Sequence, residues 1–373
     1  MERINELINK KLQERVNNFS LRKLSLSQNL IDFCSNDYLG FAQSDELKSL
    51  ISRELNQHPA YSIGATGSRL ISGNEPFTEN LEADIATFHQ SKSSLIFNSG
   101  YDANLGLFAS LPQRGDTIIL DELVHASIID GARLSYANRY SFKHNDLASL
   151  EEKLKISKGN IFIGVESIYS MDGDEAPLQG VVELAHKYGA GVIVDEAHAA
   201  GLFGENGSGL VNHYKLEQKV LARIITFGKA LGCHGAAVLC NESLKNFIIN
   251  FARSFIYTTA APFYTHLSVS LAYQQLAKSD LSAIHKKIEL FKGETGEIKG
   301  HFTLSNSPIQ CLLIPGNVKA RTLAEVLQGK GFNVRAILHP TVPEGKERLR
   351  ICLHTFNSDD EIRSLAKAIK ENI

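Results

Sequence analysis

Lys229 stands in TFGKALGCHGAAV, Thr226 to Val238, among glycines and small residues just past the apolar run RIITF. A strand-end lysine is either a solvated charge or an amine set up as a nucleophile, and a nucleophilic lysine forms Schiff bases with carbonyl compounds. Other chemistry-bearing residues recur at comparable places. Ser99, Gly100 and Tyr101 follow LIFN, and Asp121 through His125 follow TIIL. Glu166 and Ser167 follow IFIGV, Asp195 and His198 follow GVIV, and Thr226 precedes Lys229 after RII. One such residue means little; the repeated placement is the signal.

Asp195 admits three chemistries. VIVDEAH imitates the acidic motif of nucleoside triphosphatases, which also need a phosphate loop ending in Gly-Lys-Ser or Gly-Lys-Thr. Each Gly-Lys pair here (Gly228-Lys229, Gly329-Lys330, Gly345-Lys346) lacks the following hydroxyl residue. A metal site on Asp195 and His198 lacks an obvious third ligand. The third chemistry pairs Asp195 with a protonated pyridine nitrogen, as pyridoxal phosphate requires if its ring is to accept electrons. Lys229 then holds the aldehyde. Gly100, in NSGYDAN, opens a helix whose free N–H groups favour a phosphate. Ser167, Ser170 and Thr226 add hydroxyls, and His125 or Tyr101 is the flat group over the ring. His144, in FKHND, reads as structural. Taken singly, each residue has a plain explanation: Asp195 a helix cap, Gly100 a permissive turn. The order Gly, His, Ser, Asp, His, Thr, Lys along successive strands favours the cofactor.

The positioning elements follow from pattern. SLIFNS, DTIILD, NIFIGVES, GVIVDE, RIITF and AAVLC are apolar runs of strand length, with helix-like stretches such as GYDANLGLFASL and LQGVVELAHKYG between several of them. Continuous apolar runs point to strands covered on both faces, and strand–helix–strand order points to a mainly parallel sheet. Ligands in such sheets bind beyond the carboxyl ends of the strands, where these polar residues collect. After about Leu281 the texture changes to a smaller α+β domain ending in the helix pattern SDDEIRSLAKAIKENI. The expected division is an N-terminal helix and arm over 1–43, a large domain over 44–275 and a small domain over 276–373.

Bulk properties bound the rest. The chain has 373 residues, 43% hydrophobic and 21% charged, with a formal net charge of −2. That balance argues against a nucleic-acid binder held by bulk positive charge. Five cysteines without a CxxC pair suit reduced thiols, and no apolar stretch reaches membrane-spanning length. MERINELINKKLQERV has no signal-peptide apolar region; Ile4, Ile8, Leu12 and Val16 recur every four residues, as in an amphipathic helix. A cytoplasmic protein is the expectation.

Longer stretches carry a resemblance. DFCSNDYLGFA, GATGSRLISGN, FNSGYDANLG, DELVHASIIDGARLS, VESIYSMDGDEAPL, VDEAHAAGLFGENGSG, TFGKALGCHGAAV, FIYTTAAP and PTVPEGKERLRI together resemble the α-oxoamine synthases, fold-type I pyridoxal-phosphate enzymes, from about Phe19 to the C-terminus. The resemblance implies an α/β fold with a mainly parallel seven-stranded sheet. It also implies decarboxylative condensation of an amino acid with an acyl thioester, and a homodimer. TFGKALGCHGAAVLC and FIYTTAAP look like the branch that joins L-alanine to pimeloyl-CoA or pimeloyl-acyl carrier protein in biotin biosynthesis. Sister branches taking glycine or serine stay open. By the same resemblance, Lys229 is the Schiff-base lysine, Asp195 the pyridine-nitrogen partner and His198 the residue near the ring hydroxyl. His125 stacks on the ring, while Gly100, Tyr101, Ser170 and Thr226 are further cofactor contacts. Thr258 and Thr259 reach the neighbouring subunit's phosphate, Arg22 and Thr341 lie near the acyl substrate, and Arg350 binds the amino-acid carboxylate. AILHPTVP departs from the family's AIRPPTVP at Leu338 and His339, which bears on acyl-donor recognition.

Overall fold

Runs of β-branched and other apolar residues between polar breaks form the strands, and a computed structural model describes them through residues 1–24, 26 and 29–373. In chain order the strands are β1 (Ile31–Asp32), β2 (Ser93–Phe97), β3 (Thr117–Asp121), β4 (Asn138–Phe142), β5 (Ile161–Glu166) and β6 (Gly191–Asp195), then β7 (Ala222–Thr226), β8 (Ala236–Cys240), β9 (Ile309–Leu313), β10 (Phe332–Asn333), β11 (Arg335–Ile337) and β12 (Arg348–Cys352). They fall into two units. The larger comprises residues 39–170 and 175–281; the smaller comprises 1–38, 171–174 and 282–373.

The larger unit holds a seven-stranded sheet in the order β2-β8-β7-β6-β5-β3-β4. Neighbours pair in parallel from β7 through β4, whereas β8 is antiparallel to both β7 and β2. β8 alone therefore runs backwards, and the carboxyl ends of β2, β3, β5, β6 and β7 share one edge. Every residue of β2, β3 and β8 is buried, as expected of strands covered on both faces. β4 is mostly exposed, and it lies at the sheet's end.

Two helices begin at that edge. Gly100–Ser110 follows β2, and Ser99 Oγ caps it by accepting the Asp102 N–H at 3.0 Å. Ala126–Leu134 follows β3, with His125 at its N-cap. The two helices pack closely through Gly131, where a Cβ would lie 2.8 Å from Phe108 Cβ and 3.0 Å from the Asn104 carbonyl oxygen. This brings their first turns together.

The smaller unit holds an antiparallel sheet, β11-β12-β9, and a two-stranded parallel pair, β1 with β10. Its last helix, Asp359–Lys370, starts with a capping box between Ser358 and Glu361. The expected amphipathic helix is present over Glu2–Asn17 and buries none of its residues. The structure thus groups the N-terminal segment with the C-terminal part.

Candidate active site

The loop from β7 to β8 carries Lys229. Phe227 N–H donates to the Gly235 carbonyl (2.9 Å), Cys233 N–H to the Phe227 carbonyl (2.8 Å) and Gly232 N–H to the Lys229 carbonyl (2.8 Å). The turn needs glycine at 232: its φ is +62°, and a Cβ there would run into the backbone of Phe41 and Ala42. So held, Lys229 Nζ lies 2.6 Å from His198 Nε2. His198 is buried in the turn that follows β6.

Asp195 ends β6 with a buried carboxylate. Oδ1 accepts the Ala197 N–H at 2.9 Å, and Oδ2 accepts from Asn104 Nδ2 at 2.7 Å. Ser167, named for its hydroxyl, braces this strand end: its N–H donates to the Asp195 carbonyl at 2.8 Å and its hydroxyl to the same oxygen at 3.4 Å. Glu166 is the cross-strand neighbour of Asp195. It is fully buried; Oε2 accepts the Ser170 N–H at 3.2 Å, and Oε1 has no partner among the described residues. Burial and the Asp195 charge beside it push the Glu166 carboxyl up to about 8.

His125 and Tyr101 stand at the mouths of the two helices, ring centroids 6.3 Å apart and nearly perpendicular. The Tyr101 hydroxyl is tied to Asp130. Desolvation lowers the His125 pKa, with Lys229 adding to the effect and Asp195 and Asp130 opposing it. Gly100 opens its helix beside Thr226, whose Cβ would be 3.6 Å from a Cβ at 100. The first N–H groups of a helix have no intrahelical acceptor, so this end suits an anion. Thr226 Oγ1 accepts the Gly228 N–H at 3.5 Å, and Asn98 Nδ2 bonds Thr258 Oγ1 (3.0 Å) and the Thr259 carbonyl (2.8 Å).

The larger unit thus holds Lys229, His198, Asp195, His125, Tyr101, Gly100, Ser170, Thr226, Thr258 and Thr259, clustered about the carboxyl edge of its sheet. Arg22, Thr341 and Arg350 belong to the smaller unit. There Arg22 Nη2 donates to Thr341 Oγ1 at 2.9 Å, and the buried Arg350 donates to Asn36 Oδ1 at 3.0 Å. His144 Nδ1 meets Asp121 Oδ1 at 2.9 Å. Asn104 and Ser127 were not singled out by the sequence, and Glu166 was named only for its place after IFIGV, without a role. Asn104 had a signal: it lies four residues past Gly100, hence on the same helix face.

The donor set fits pyridoxal phosphate: an amine on Lys229, a buried carboxylate on Asp195, and a helix N-terminus flanked by threonines and a glycine. The family model for aminotransferase class I and II matches residues 28–369. The 8-amino-7-oxononanoate synthase of Emericella nidulans is 42% identical, covering 96% of this chain and 93% of that protein. The solved 8-amino-7-oxononanoate synthase of Francisella tularensis is 29% identical over 92% of this chain and 97% of its own, with a TM-score of 0.78. Sphingomonas wittichii serine palmitoyltransferase, at 24% identity and TM-score 0.88 over 99% of this chain and 97% of its own, has the same fold.

Proposed function

Since this chain belongs to the aminotransferase class I and II family, and within it to the 8-amino-7-oxononanoate synthases, we propose that its site joins L-alanine to a pimeloyl thioester, releasing CO2 and the free thiol. It is a pyridoxal-phosphate-dependent acyltransferase of biotin biosynthesis. The observation that carries the residue assignment is the approach of Lys229 Nζ to His198 Nε2, 2.6 Å, between the loops that follow the neighbouring strands β7 and β6, the latter ending in Asp195.

Bound pyridoxal phosphate supplies an aldehyde for an amine and a ring that withdraws electrons from the amino acid's Cα. Lys229 would hold the group's aldehyde carbon through its amine and, when that amine is free, would take the proton from alanine Cα and return one. Asp195 would favour the protonated form of the ring nitrogen, and the Ala197 N–H and Asn104 amide keep its carboxylate fixed. His198, beside Lys229, would hold the ring hydroxyl. His125 would cover the ring, with Tyr101 next to it. The Gly100 helix end, Ser170 and Thr226 would receive the phosphate. The family resemblance gives Arg350 the alanine carboxylate, and gives Arg22 with Thr341 the far end of the acyl chain, where a carboxylate calls for a charged donor.

Thr258 and Thr259 serve a neighbouring copy. Ala260 N–H bonds the Gly67 carbonyl at 3.0 Å, joining their segment to one that exposes Leu70 (50%) and Ile71 (85%). Exposed Tyr257 (72%) lies beside them, and such apolar exposure on a folded surface favours a homodimer. The five free thiols suit a reducing cytoplasm. No helix is long and apolar enough to cross a membrane among the described residues.

An activity matrix of amino acids against acyl thioesters tests the reading. L-Alanine with pimeloyl-CoA or pimeloyl-acyl carrier protein should give the highest kcat/KM. Preference for serine with long unbranched chains would overturn it.

A further inference from the structure

Three buried polar groups, Asp195, Asn104 and Ser127, and the exposed His125 form one chain of hydrogen bonds behind the site. Asn104 Nδ2 donates to Asp195 Oδ2 at 2.7 Å and to Ser127 Oγ at 3.1 Å. Ser127 Oγ is 2.7 Å from His125 Nδ1, and the Ser127 backbone N–H also reaches that nitrogen, at 3.2 Å. Asn104 is 1% exposed and Ser127 is fully buried, so no bulk water competes at these two residues.

The directions are forced. A backbone N–H can only donate, so His125 Nδ1 is an acceptor and carries no proton. The Asn104 amide must turn its nitrogen to the Asp195 carboxylate, because the reverse orientation would set oxygen against oxygen. Both amide hydrogens are then spent, one on Asp195 and one on Ser127 Oγ. That leaves the serine hydroxyl proton for His125 Nδ1. With Nδ1 occupied as an acceptor, the remaining ring proton of neutral His125 is on Nε2.

We propose that Asn104 and Ser127 are positioning residues that fix His125 as its Nε2–H tautomer and tie its ring to the carboxylate of Asp195, so that His125 meets substrate as a hydrogen-bond donor. Its partner is an oxygen of the reacting molecules, a carboxylate or a thioester carbonyl. Neither relay residue touches substrate. This rests on His125 and Asp195 being active-site groups, but the tautomer can be read without cofactor.

The charged groups that face His125 are Asp195, Asp130 and Lys229, with Glu166 bonded to its backbone N–H. Asp195 and Asp130 favour the imidazolium, whereas desolvation, Lys229 and the two donors on Nδ1 oppose it.

The test is nitrogen NMR of the full chain labelled with 15N-histidine, with and without pyridoxal phosphate, His125 being assigned by loss of its signals in His125→Gln. At pH 7 the wild type should show Nδ1 bare and Nε2 protonated. Ser127→Ala removes one donor, so the titration midpoint of His125 should rise and kcat should fall roughly tenfold. Ser127→Thr keeps a hydroxyl and should restore both. Asn104→Ala combined with Ser127→Ala should lose little more than the worse single variant, because both act through one relay. A proton on Nδ1 in the wild type would overturn the proposal, whatever the variants do. So would a Ser127→Ala protein with unchanged midpoint and kcat. A correct tautomer in a protein that binds no pyridoxal phosphate would leave the relay standing and sink the cofactor reading instead.

Discussion

Asp195 and Glu166 are cross-strand neighbours that differ in what surrounds them. Asp195 has a backbone N–H and the Asn104 amide donating to its carboxylate; Glu166 takes the backbone N–H groups of Ser170 and His125, and its Oε1 has no partner among the described residues. Asp195→Asn removes the charge that favours a protonated ring nitrogen. Exchange of the alanine Cα proton with solvent should slow by at least about a hundredfold, with a smaller effect on cofactor binding; near wild-type exchange, followed by proton NMR in D2O, would refute the role. Glu166, held up to about 8, keeps its proton in the folded protein at pH values where the unfolded chain has lost it. Folding stability therefore drops as pH rises from about 4.5 to about 8 through this group. Glu166→Gln mimics the neutral form. Its Tm relative to wild type should climb across that window, and a constant difference would contradict the assignment. The types at these positions were legible in the sequence. That Glu166 is held protonated was not, because that depends on its burial in the fold and on Asp195 beside it.

At the scale of elements, the loop after β7 is the device that sets the lysine. Gly232→Ala puts a side chain at φ +62° and against the backbone of Phe41 and Ala42. It should cost about 2 kcal/mol or more, seen as a Tm lower by several degrees together with reduced activity. A thermal melt matching wild type would show that the turn has slack. The apolar runs read from sequence all became strands, because β-branched residues between polar breaks leave few other solutions. NRYSF, the β4 run, was missed: it sits at the sheet's end, and its exposed residues carry no apolar signal. The reversal of β8 was equally invisible. A fully buried antiparallel strand reads in sequence like a parallel one, and only its short connection from β7 hints at a hairpin.

For the whole molecule, the exposed Leu70, Ile71 and Tyr257 favour a surface covered by a second copy. The wild type should sediment as a dimer. Ile71→Asp should shift it toward monomer and lower activity in parallel, and an active monomer would overturn this. The clustering of the candidate residues that follow successive strands of the larger unit was legible in the sequence, since those residues share an edge by topology alone. Arg22, Thr341 and Arg350 could be reached only through the family resemblance. They lie far in sequence from that edge, and Arg22 and Thr341 find each other across 319 residues.

The central claim is that Lys229 is the amine that carries the cofactor. Borohydride reduction of the holoenzyme, followed by peptide mass mapping, tests it most directly. The pyridoxyl mass should appear on the peptide containing Lys229 and vanish in Lys229→Ala, with the fold retained. A label on any other lysine would contradict the account.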